Sequence, residues 1–419
     1  MMPANSVANP ALASVLTING GSSSIRFALF SAGDPPVRSL HGKLDRIGLG
    51  GTVLTFRDDT RDRKGRLELD SADQRPAVES ILDWLEDHVA FETLAAIGHR
   101  VVHGMHYTQP TRVTRALLEE LRSITPYDPE HLPREIELMG ACARRHPDLA
   151  QVACFDTAFH AGMPRVARLL PIPRRFEAMG IQRYGFHGLS YTFLMDELAR
   201  VAGPDQARGR VILAHLGNGA SLAAVRDGHS VDTSMGFTPA SGLPMGTRPG
   251  DLDPGVAWYL MQTGALTSKQ FNHLVNYECG LLGVSETSSD MRDLMALQAS
   301  DVRAAEAVEL FCYQTRKWIG GFAAVLGGLD TLVFAGGIGE NTSEVRSRAC
   351  QGLQFLGIEL DEARNAVSAP LISDDASRVA VRVIPTDEEL MIAREVRRLI
   401  NTRPEPESSA GIHKEPCNG

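Results

Sequence analysis

Apolar and polar positions near the start of the chain predict a strand, a turn and a second strand. An apolar run over 15–18 leads into the Gly- and Ser-rich segment 19–24, and apolar and polar residues then alternate over 25–30. The segment 211–225 repeats this order, with an apolar strand, a Gly-rich polar turn and another apolar strand. Two halves that open in the same way predict a duplicated α/β domain.

Helical periodicity marks two later segments. An apolar stripe runs through 302–326 and ends at Gly327 and Gly328, a pair that favours helix termination. Core packing and an interface with a second copy of the chain explain this stripe equally well. A final helix is predicted from Thr386 to about Asn401.

The two ends of the chain differ in composition from the rest. Residues 1–12 are small and polar and predict a flexible arm, whereas 403–419 are rich in Pro, Glu and Ser and predict a disordered tail. The folded body of about 13–402 is long enough for two lobes. The net charge of −9 argues against nucleic acid or an anionic membrane as the main partner.

The cysteines and the hydropathy pattern limit the compartment. The six cysteines form no CxxC pair, so their spacing fits neither a zinc site nor a disulfide framework. No run of about 18 apolar residues predicts a membrane span, and the N-terminus lacks the basic and apolar regions of a signal peptide. We therefore expect a cytoplasmic protein with reduced thiols.

The first Gly-rich turn is a candidate phosphate site. Its glycines let backbone amides approach an anion, and its hydroxyl groups donate hydrogen bonds. It lacks the Gly-Lys-Ser/Thr ending of a Walker A loop, and a strand follows where that loop would need a helix. If the segment is extended, Ser22, Ser24 and Arg26 share one face. An ordinary hairpin turn is the alternative.

Two further turns have the same character. Segment 215–221 combines glycines with His215 and Asn218 as hydrogen-bond donors, although a buried structural histidine explains His215 equally well. Segment 335–341 joins a buried strand to a helix predicted to begin near Thr342, and a helix N-terminus favours anions. Each of these turns is a weak signal on its own.

Arg and His residues are concentrated in four short clusters, 98–104, 155–160, 183–188 and 245–251. Phosphoryl transfer passes through a loose transition state whose charge lies on the equatorial oxygens. Its catalysis then depends on positioning and on neutralisation by Arg, His and a metal ion. A single arginine in a turn is usually solvated, but four clusters together favour a phosphoryl-transfer site.

An ordered set of motifs between about Val15 and Ile400 resembles the acetate kinase family. The motifs are NGGSSSIR, GHRVVHG, FDTAFH, RYGFHG, HLGNGAS, DTSMGFTPASGLPMGTRPGD, SSDMRD, GGIGEN and PTDEEL. The resemblance implies the α/β fold of the acetate and sugar kinase, Hsp70 and actin superfamily. In that fold two duplicated lobes, each with a ribonuclease-H-like core, enclose a nucleotide cleft. It places 13–158 with 388–402 in the first lobe and 159–387 in the second.

The resemblance also implies roles for individual residues. Arg100 and Arg248 would clamp the carboxylate and the transferring phosphoryl group, and His187 would hydrogen-bond that group. Asp156 would orient the metal or the attacking carboxylate. The residues that match the nucleotide site are Asn19, Ser22, Ser24, Arg26, His215, Gly217, Asn218, Gly219, Asp290, Met291, Arg292, Gly337, Ile338 and Asn341. The residues that match the substrate site together with Arg100 are Val102, His131, Phe186 and Pro239.

The metal site is assigned to Glu388, with Asn19 beside it. A physical argument separates Glu388 from its neighbour Glu389. If Thr386 caps the last helix, Glu389 stands at the third helical position and completes a capping box, which leaves Glu388 free. The family implies Mg²⁺ or Mn²⁺ as the cofactor and ATP or ADP as a substrate.

Three positions depart from the family pattern. Arg26 stands where Lys is more common, which keeps the charge but replaces a point charge with a planar fork. Glu130 replaces a pocket leucine, so either its side chain turns out of the pocket or the pocket is less apolar than usual. His106 stands in a changed sequence after His103, and we expect it at the surface.

These residues and the resemblance favour reversible transfer of the γ-phosphoryl group of ATP to acetate, giving acetyl phosphate and ADP. Propionate kinase is the nearest alternative, because one methylene group in a pocket is worth only about 1–3 kcal/mol. A non-catalytic nucleotide switch of the actin or Hsp70 type is another, but it would not need Arg100, His187 and Arg248. The family suggests a homodimer through the second lobe.

Overall fold

The computed structural model describes residues 14–21, 24–31, 33–45, 47, 52–68, 77–264 and 266–402. Ser22, the arm predicted at 1–12 and the tail predicted at 403–419 lie outside these described residues. The described chain forms two mixed β-sheets with helices packed against them, in agreement with the predicted α/β class.

The first sheet contains eight strands. They are β1 (Ser14–Gly20), β2 (Ser24–Phe30), β3 (Arg38–Asp45), β4 (Val53–Asp58), β5 (Arg63–Glu68), β6 (Leu94–Val101), β7 (Thr111–Arg112) and β8 (Ala150–Phe155). Their order across the sheet is β5-β4-β3-β2-β1-β6-β8-β7. Strands β1 to β5 form an antiparallel meander, and β6 and β8 continue the sheet in parallel on the other side of β1.

The second sheet repeats the centre of the first. Its strands are β9 (Arg210–Leu216), β10 (Ala220–Arg226), β11 (His229–Thr233), β12 (Thr331–Ala335) and β13 (Ala380–Val383). The order β11-β10-β9-β12-β13 has the same pattern as β3-β2-β1-β6-β8, with an antiparallel hairpin on one side of the central strand and parallel strands on the other. The predicted duplication is confirmed at the level of strand order.

Helices connect and cover the strands. Those of the described chain are α1 (Ala77–His88), α2 (Arg115–Ser123), α3 (Leu132–Arg145), α4 (Arg165–Arg168), α5 (Arg174–Glu177), α6 (Gly188–Ala202), α7 (Pro204–Arg208), α8 (Pro254–Gln262), α9 (Ser268–Tyr277), α10 (Gly280–Ser285), α11 (Met291–Leu297), α12 (Val302–Leu326), α13 (Gly336–Asn341), α14 (Ser343–Cys350), α15 (Glu362–Ala366) and α16 (Glu388–Asn401). Within the described ranges, none of these helices has both the length and the apolarity that a membrane crossing requires.

The long helix α12 runs through the core of the second lobe. Asp301 caps its N-terminus by accepting a hydrogen bond from the amide of Arg303, and Gly327 ends it in the left-handed conformation at φ 70°. Val308 and Phe311 are fully buried among apolar side chains of the second sheet. The predicted helix and its end are therefore confirmed. The stripe is core, and its use as an interface with a second copy is wrong.

The last helix, α16, returns to the first sheet and packs across β1 and β6, as expected. Gly98 in β6 permits this approach, because a Cβ atom there would lie 2.5 Å from Ile392 Cγ2 and 2.6 Å from Val396 Cγ2. Burial of this face holds the N-terminus of α16 at the carboxyl ends of the neighbouring strands.

Helix α6 lies between the two sheets. It contacts α16 and β8 on one side and β9 on the other. Its buried Leu194 belongs to one hydrophobic cluster that also contains Met391 of α16, Val15 of β1 and Val211 of β9. The two lobes therefore share a continuous apolar layer, and the lobe boundary at 158–159 is kept as a proposal.

The start of α16 differs from the prediction. Asp387, not Thr386, is the N-cap, because its carboxylate accepts a hydrogen bond from the amide of Leu390 at 2.9 Å. The helix consequently begins at Glu388, and the predicted capping box with Glu389 is wrong.

The helix predicted near Thr342 is α14, which begins at Ser343 directly after Thr342. The third Gly-rich turn before it forms a further short helix, α13, which begins at Gly336 and was not predicted. Gly336 has φ +75°, and its amide donates to Glu340 Oε1 at 2.8 Å. A glutamate four residues ahead thus satisfies the first amide, so the helix starts without a Ser, Thr, Asp or Asn cap.

We predict that Gly98→Ala destabilises the protein by about 1–3 kcal/mol, because the added methyl group overlaps α16. The free energy of unfolding in urea measures this loss. Gly320→Ala in α12 is the matched control, since no heavy atom lies within 4 Å of its added Cβ. This control should be neutral or up to about 1 kcal/mol more stable. Equal stability of Gly98→Ala and wild type would contradict the packing described here.

Candidate active site

Arg100 is the centre of a buried polar network at the carboxyl end of the first sheet. Its Nε and Nη2 atoms donate to Asp156 Oδ2 at 2.9 and 2.5 Å, and Nη1 donates to Asn19 Oδ1 at 3.3 Å. The three residues stand at or just after the ends of β6, β8 and β1. Because these strands are parallel neighbours, their ends meet at one edge of the sheet.

The charges in this network control one another's ionisation. Burial alone would lower the pKa of Arg100, but the charges of Asp156 and Glu388 raise it, so the guanidinium stays protonated. Burial raises the pKa of the Asp156 carboxyl, and Arg100 opposes this shift. Burial also opposes the charged form of Glu388, yet Arg100 and then His215 hold its pKa below the usual value.

Both glutamates of the first turn of α16 face the network. Asn19 Nδ2 donates to Glu388 Oε2 at 2.9 Å and to Glu389 Oε1 at 3.3 Å. The pKa of Glu389 is raised by burial and by the charge of Glu388, whereas that of Glu388 is lowered. Glu388 therefore keeps its negative charge more readily than Glu389 does. This difference in pKa, and not a capping box, supports the assignment of the metal to Glu388.

Asn19 and Glu388 are the residues predicted to hold a divalent metal. The amide nitrogen of Asn19 faces the glutamates and its oxygen faces Arg100, so in this arrangement Asn19 positions the carboxylates. Direct ligation by Asn19 requires its amide to turn over. The described residues hold no group of three or more His, Cys, Asp or Glu side chains suited to a metal. A pair of carboxylates nevertheless fits Mg²⁺, which keeps several waters and binds substrate phosphates.

His187 faces the network from the N-terminus of α6. It has the left-handed conformation, with φ 61° and ψ 24°, which is uncommon for a residue with a side chain. A Cβ atom on the next residue, Gly188, would lie 2.1 Å from the carbonyl oxygen of Asp156. His187 Nδ1 lies 2.8 Å from Ser221 Oγ, and its ring stacks on His215 with 4.3 Å between centroids. The hydrogen-bond contact with Ser221 and the stacking on His215 thus hold the imidazole of His187 in one orientation.

The imidazole of His187 is neutral at pH 7. Burial lowers its pKa well below the usual value, and the charges of His215, Arg100 and Arg248 lower it further. Its Nε2 atom lies 3.3 Å from the point that a Cβ atom would occupy at Gly219. With Nδ1 beside Ser221, Nε2 is the ring atom directed at the second Gly-rich turn.

His215 stands at the end of β9 and is fixed by hydroxyl groups. Its Nδ1 atom lies 2.8 Å from Ser190 Oγ, which in turn lies 2.7 Å from Thr386 Oγ1. Burial lowers the pKa of His215, and the charge of Glu388 opposes that effect. His215 is therefore both a buried, oriented histidine and a member of the cleft, so the two readings of this residue are compatible.

The second Gly-rich turn packs against the loop that carries Arg248. The amide of Gly217 donates to the carbonyl of Gly219, and the amide of Gly246 donates to the carbonyl of Asn218, each at 3.0 Å. A Cβ atom at Gly219 would lie 2.9 Å from Arg248 Nη2. Glycine at this position therefore lets the guanidinium approach the turn.

Arg248 is the second buried guanidinium of the cleft. Its Nη1 atom donates to the carbonyl of Pro239 at 2.6 Å, and no carboxylate of the described residues forms an ion pair with it. Burial lowers its pKa to about 10, with Arg100 adding to the shift and Asp128 opposing it. A buried cation held by a carbonyl group suits an anionic ligand.

The residues predicted for the substrate pocket combine buried apolar side chains with polar groups. Val102 and Phe186 are buried in one hydrophobic cluster. Pro239 is partly buried and supplies the carbonyl that holds Arg248. His131 is oriented by Asp128, with 2.8 Å between Nδ1 and Oδ1.

The residues predicted for the adenosine site lie at the start of α11 and on α13: Asp290, Met291, Arg292, Gly337, Ile338 and Asn341. Asp290 caps α11 by accepting from the amide of Arg292 at 2.9 Å and also pairs with its guanidinium. Met291 is buried in the second-lobe core. Asn341 Nδ2 donates to the carbonyl of Gly337 at 2.9 Å. The side chain of Asn341 is therefore bonded back to the first turn of α13.

Ser24 and Arg26 share a face of β2, as the period of a strand predicts. Arg26 lies opposite Asn19 in the β1–β2 pair, and its side chain is exposed. Its charge lowers the pKa of both Glu388 and Glu389, which places a cation next to the predicted metal ligands.

Several positioning residues were missed by the sequence reasoning. Ser221 orients His187, and Ser190 orients His215. Glu135 is buried in α3 and accepts a hydrogen bond from the backbone amide of Val102, two residues after Arg100. Ser221 closes the HLGNGAS motif and could have been found there, whereas Ser190 and Glu135 gave no sequence signal.

Two departures from the family pattern are explained by the structure. His106 is 68% exposed at its side chain and lies 3.3 Å from a carboxylate oxygen of Glu120, which confirms it as a surface residue. The side chain of Glu130 turns out of the predicted pocket, because its Oε1 atom accepts from Asn272 Nδ2 at 3.1 Å. The pocket therefore does not have to accommodate this carboxylate.

The assembled site combines two buried guanidinium groups, a neutral imidazole and a pair of carboxylates. Such a set can neutralise the charge of a phosphoryl group while a second anion approaches it. It contains the donors that this chemistry needs and two carboxylates that suit a hard cation.

Comparison with known proteins gives the same assignment. The family model described as the acetokinase family matches residues 14–394. An acetate kinase from Methylocella silvestris is 44% identical over 398 residues, covering 92% of this chain and 98% of that protein. A propionate kinase from Citrobacter rodentium is 44% identical over 395 residues, covering 92% and 96%. The crystal structure of Porphyromonas gingivalis acetate kinase superposes with a TM-score of 0.82 at 36% identity, covering 93% of this chain and all of that one. The chain belongs to the acetokinase family.

Proposed function

We propose that this protein is an acetate kinase that transfers the γ-phosphoryl group of ATP reversibly to acetate, giving acetyl phosphate and ADP. Family membership and relatives of this name over almost the whole chain support the reaction. The observation that carries the site assignment is the approach of Arg248 and His187 to one point of the second Gly-rich turn, since a Cβ atom at Gly219 would lie 2.9 Å from Arg248 Nη2 and 3.3 Å from His187 Nε2.

In this proposal the carboxylate of acetate attacks the γ-phosphorus in line. Acetate is already anionic at pH 7, so the reaction needs no strong general base. Arg100 and Arg248 neutralise charge on the carboxylate and the phosphoryl oxygens, and the neutral His187 donates a hydrogen bond from Nε2. Asp156 holds Arg100 in place through the hydrogen bonds at 2.5 and 2.9 Å.

The three Gly-rich turns are proposed to bind the nucleotide. Asn19, Ser24 and Arg26 would face the phosphates from the first lobe, and the turn at 217–219 would do so from the second. The adenosine would lie between the start of α11 and α13. Closure of the lobes would then exclude water and limit hydrolysis of ATP.

Mg²⁺ or Mn²⁺ is proposed to bind at Glu388, with Glu389 and Asn19 as neighbours. When bound, this ion would neutralise charge on the phosphate oxygens. The fit rests on the low pKa of Glu388 and on the pairing of both carboxylates with one amide group.

Arg248→Ala should lower kcat by about 100-fold or more, because a donor to the transition state is lost. Trapping of acyl phosphate with hydroxylamine measures the rate with ATP and acetate. Arg115→Ala is the control, since that side chain is 92% exposed on α2. The same assay with acetate, propionate and butyrate tests the propionate kinase alternative. Higher kcat/KM for propionate would favour that alternative, and no acyl phosphate with any carboxylate would refute the proposal.

Glu388→Gln should raise the Mg²⁺ concentration needed for half-maximal activity by about tenfold or more, because a charged ligand is lost. Glu389→Gln is the matched control and should have a smaller effect, as its carboxyl has a raised pKa. The activity of each variant is titrated with Mg²⁺, and the binding of Mn²⁺ to each variant is measured by electron paramagnetic resonance. Equal effects of both substitutions would remove the assignment to Glu388.

A homodimer through the second lobe is proposed from an exposed aromatic surface on α8. Trp258 and Tyr259 are 64% and 66% exposed, and Leu252 and Val256 beside them are also exposed. No residue of α8 is buried. Apolar clusters of this kind are typical of protein interfaces, and a second copy of the chain is the partner the family suggests.

Trp258→Glu should convert the dimer to a monomer, because a charge would be buried at the centre of the interface. Light scattering after size-exclusion chromatography gives the mass. Val166→Glu, at another exposed apolar residue that is 81% exposed, serves as the control and should remain dimeric. A wild-type mass of one chain would contradict the dimer itself.

A cytoplasmic location is proposed from the cysteines. Those of the described residues are Cys142, Cys154, Cys279, Cys312 and Cys350, and all are free thiols. Unpaired cysteines are typical of reducing compartments.

A further inference from the structure

Glu130 joins the two lobes next to the predicted substrate pocket. It precedes His131 and α3 in the first lobe, and its Oε1 atom accepts a hydrogen bond from Asn272 Nδ2 at 3.1 Å. Its Oε2 atom accepts from the hydroxyl group of Tyr277. Both donors belong to α9 of the second lobe, so one carboxylate ties the lobes together at two points.

On the second-lobe side, this contact leads to Arg248. The hydroxyl group of Thr247 donates to the carbonyl of Asn276 at 2.7 Å, and the amide of Cys279 donates to the carbonyl of Thr247 at 3.0 Å. Gly280 is packed so closely that a Cβ atom would lie 2.6 Å from the carbonyl oxygen of Arg248. The end of α9 is thus bonded to the loop that carries Arg248.

On the first-lobe side, the same contact leads to Arg100. Glu130 stands just before α3, whose Arg134 donates to the carbonyl of Gly21 in the first Gly-rich turn at 3.1 Å. Glu135 of the same helix accepts from the amide of Val102 at 3.1 Å. The first turns of α3 are therefore bonded both to the first Gly-rich turn and to the backbone two residues after Arg100.

Apart from these bonds to the loop of Arg248, helix α9 is weakly packed among the described residues. None of its residues is buried, and its capping box between Thr267 and Gln270 is a local feature. The bonds to Glu130 therefore have a large share in setting where this helix lies relative to the first lobe. The pKa of Tyr277 is raised to about 12 by burial and by Glu130, so its hydroxyl group stays a donor over the whole working range of pH.

We propose that Glu130, Asn272 and Tyr277 form an interlobe latch that sets the separation of Arg100 and Arg248 around the carboxylate substrate. Partly exposed hydrogen bonds to a carboxylate are weak enough to break and re-form, which suits a contact that must open for substrate exchange. These three residues act through the two arginines and are positioning residues. The inference rests on the proposed phosphoryl transfer.

Three variants test the latch: Glu130→Ala, Tyr277→Phe and the double variant. Each single substitution should raise KM for acetate by about fivefold while kcat changes less than twofold, because closure is weakened and the transition-state donors remain. The double variant should be no worse than Glu130→Ala alone, since Glu130→Ala already removes the bond to Tyr277. Glu137→Ala, at an exposed residue of α3, and Tyr313→Phe, at an exposed residue of α12, are the controls.

Hydrogen exchange of the α9 amides gives a second readout that does not need activity. Exchange over 268–277 should rise in Glu130→Ala and, to a smaller extent, in Tyr277→Phe, because the second substitution leaves the bond to Asn272. It should be unchanged in the controls. Wild-type KM values, or additive effects in the double variant, would overturn the latch. A lower melting temperature with unchanged KM would show a merely structural contact. Absence of acyl phosphate from the wild type would refute the proposed reaction, and hydrogen exchange would then decide the latch by itself.

Discussion

The buried guanidinium group of Arg100 keeps its charge because carboxylates from distant parts of the chain surround it. Asp156 reaches it from the next parallel strand, and Glu388 acts on it from the last helix. Asn19 bridges the two by accepting from Arg100 and donating to Glu388. The strand order β1-β6-β8 and the return of α16 are thus the conditions under which this cation can be buried.

The second lobe uses its cation in a different way. Arg248 is held by a backbone carbonyl and not by a carboxylate, and burial lowers its pKa to about 10. Its charge therefore stays available for a ligand, whereas that of Arg100 is already largely balanced. Burial lowers the pKa of His187, and the charges of both arginines lower it further, so its imidazole is neutral. A positive site with an uncharged hydrogen-bond donor suits a reaction in which negative charge moves between oxygens.

The two lobes are joined by contacts of two kinds. Helices α6 and α16 share a continuous apolar layer with both sheets, and such a layer gives little freedom to slide. The contact of Glu130 with α9 is polar and partly exposed, so it can open at small cost. Motion between the lobes would then pivot on the apolar layer and be limited by the polar contact. Glu130 departs from the family pattern at a pocket position, and its contacts with α9 outside the pocket give a structural reason for this glutamate.

The sequence by itself determined the duplicated strand–turn–strand units, the long core helix and the residue types of the site, because these depend on local periodicity and on ordered motifs. It did not determine the cap of the last helix, since Thr386 and Asp387 are both good caps and only the contacts of the folded chain choose Asp387. It could not separate Glu388 from Glu389 by ionisation, because their pKa values depend on burial and on Arg100. The roles of Ser190, Glu130 and Glu135 were likewise decided by tertiary structure, which brings together side chains far apart in the chain.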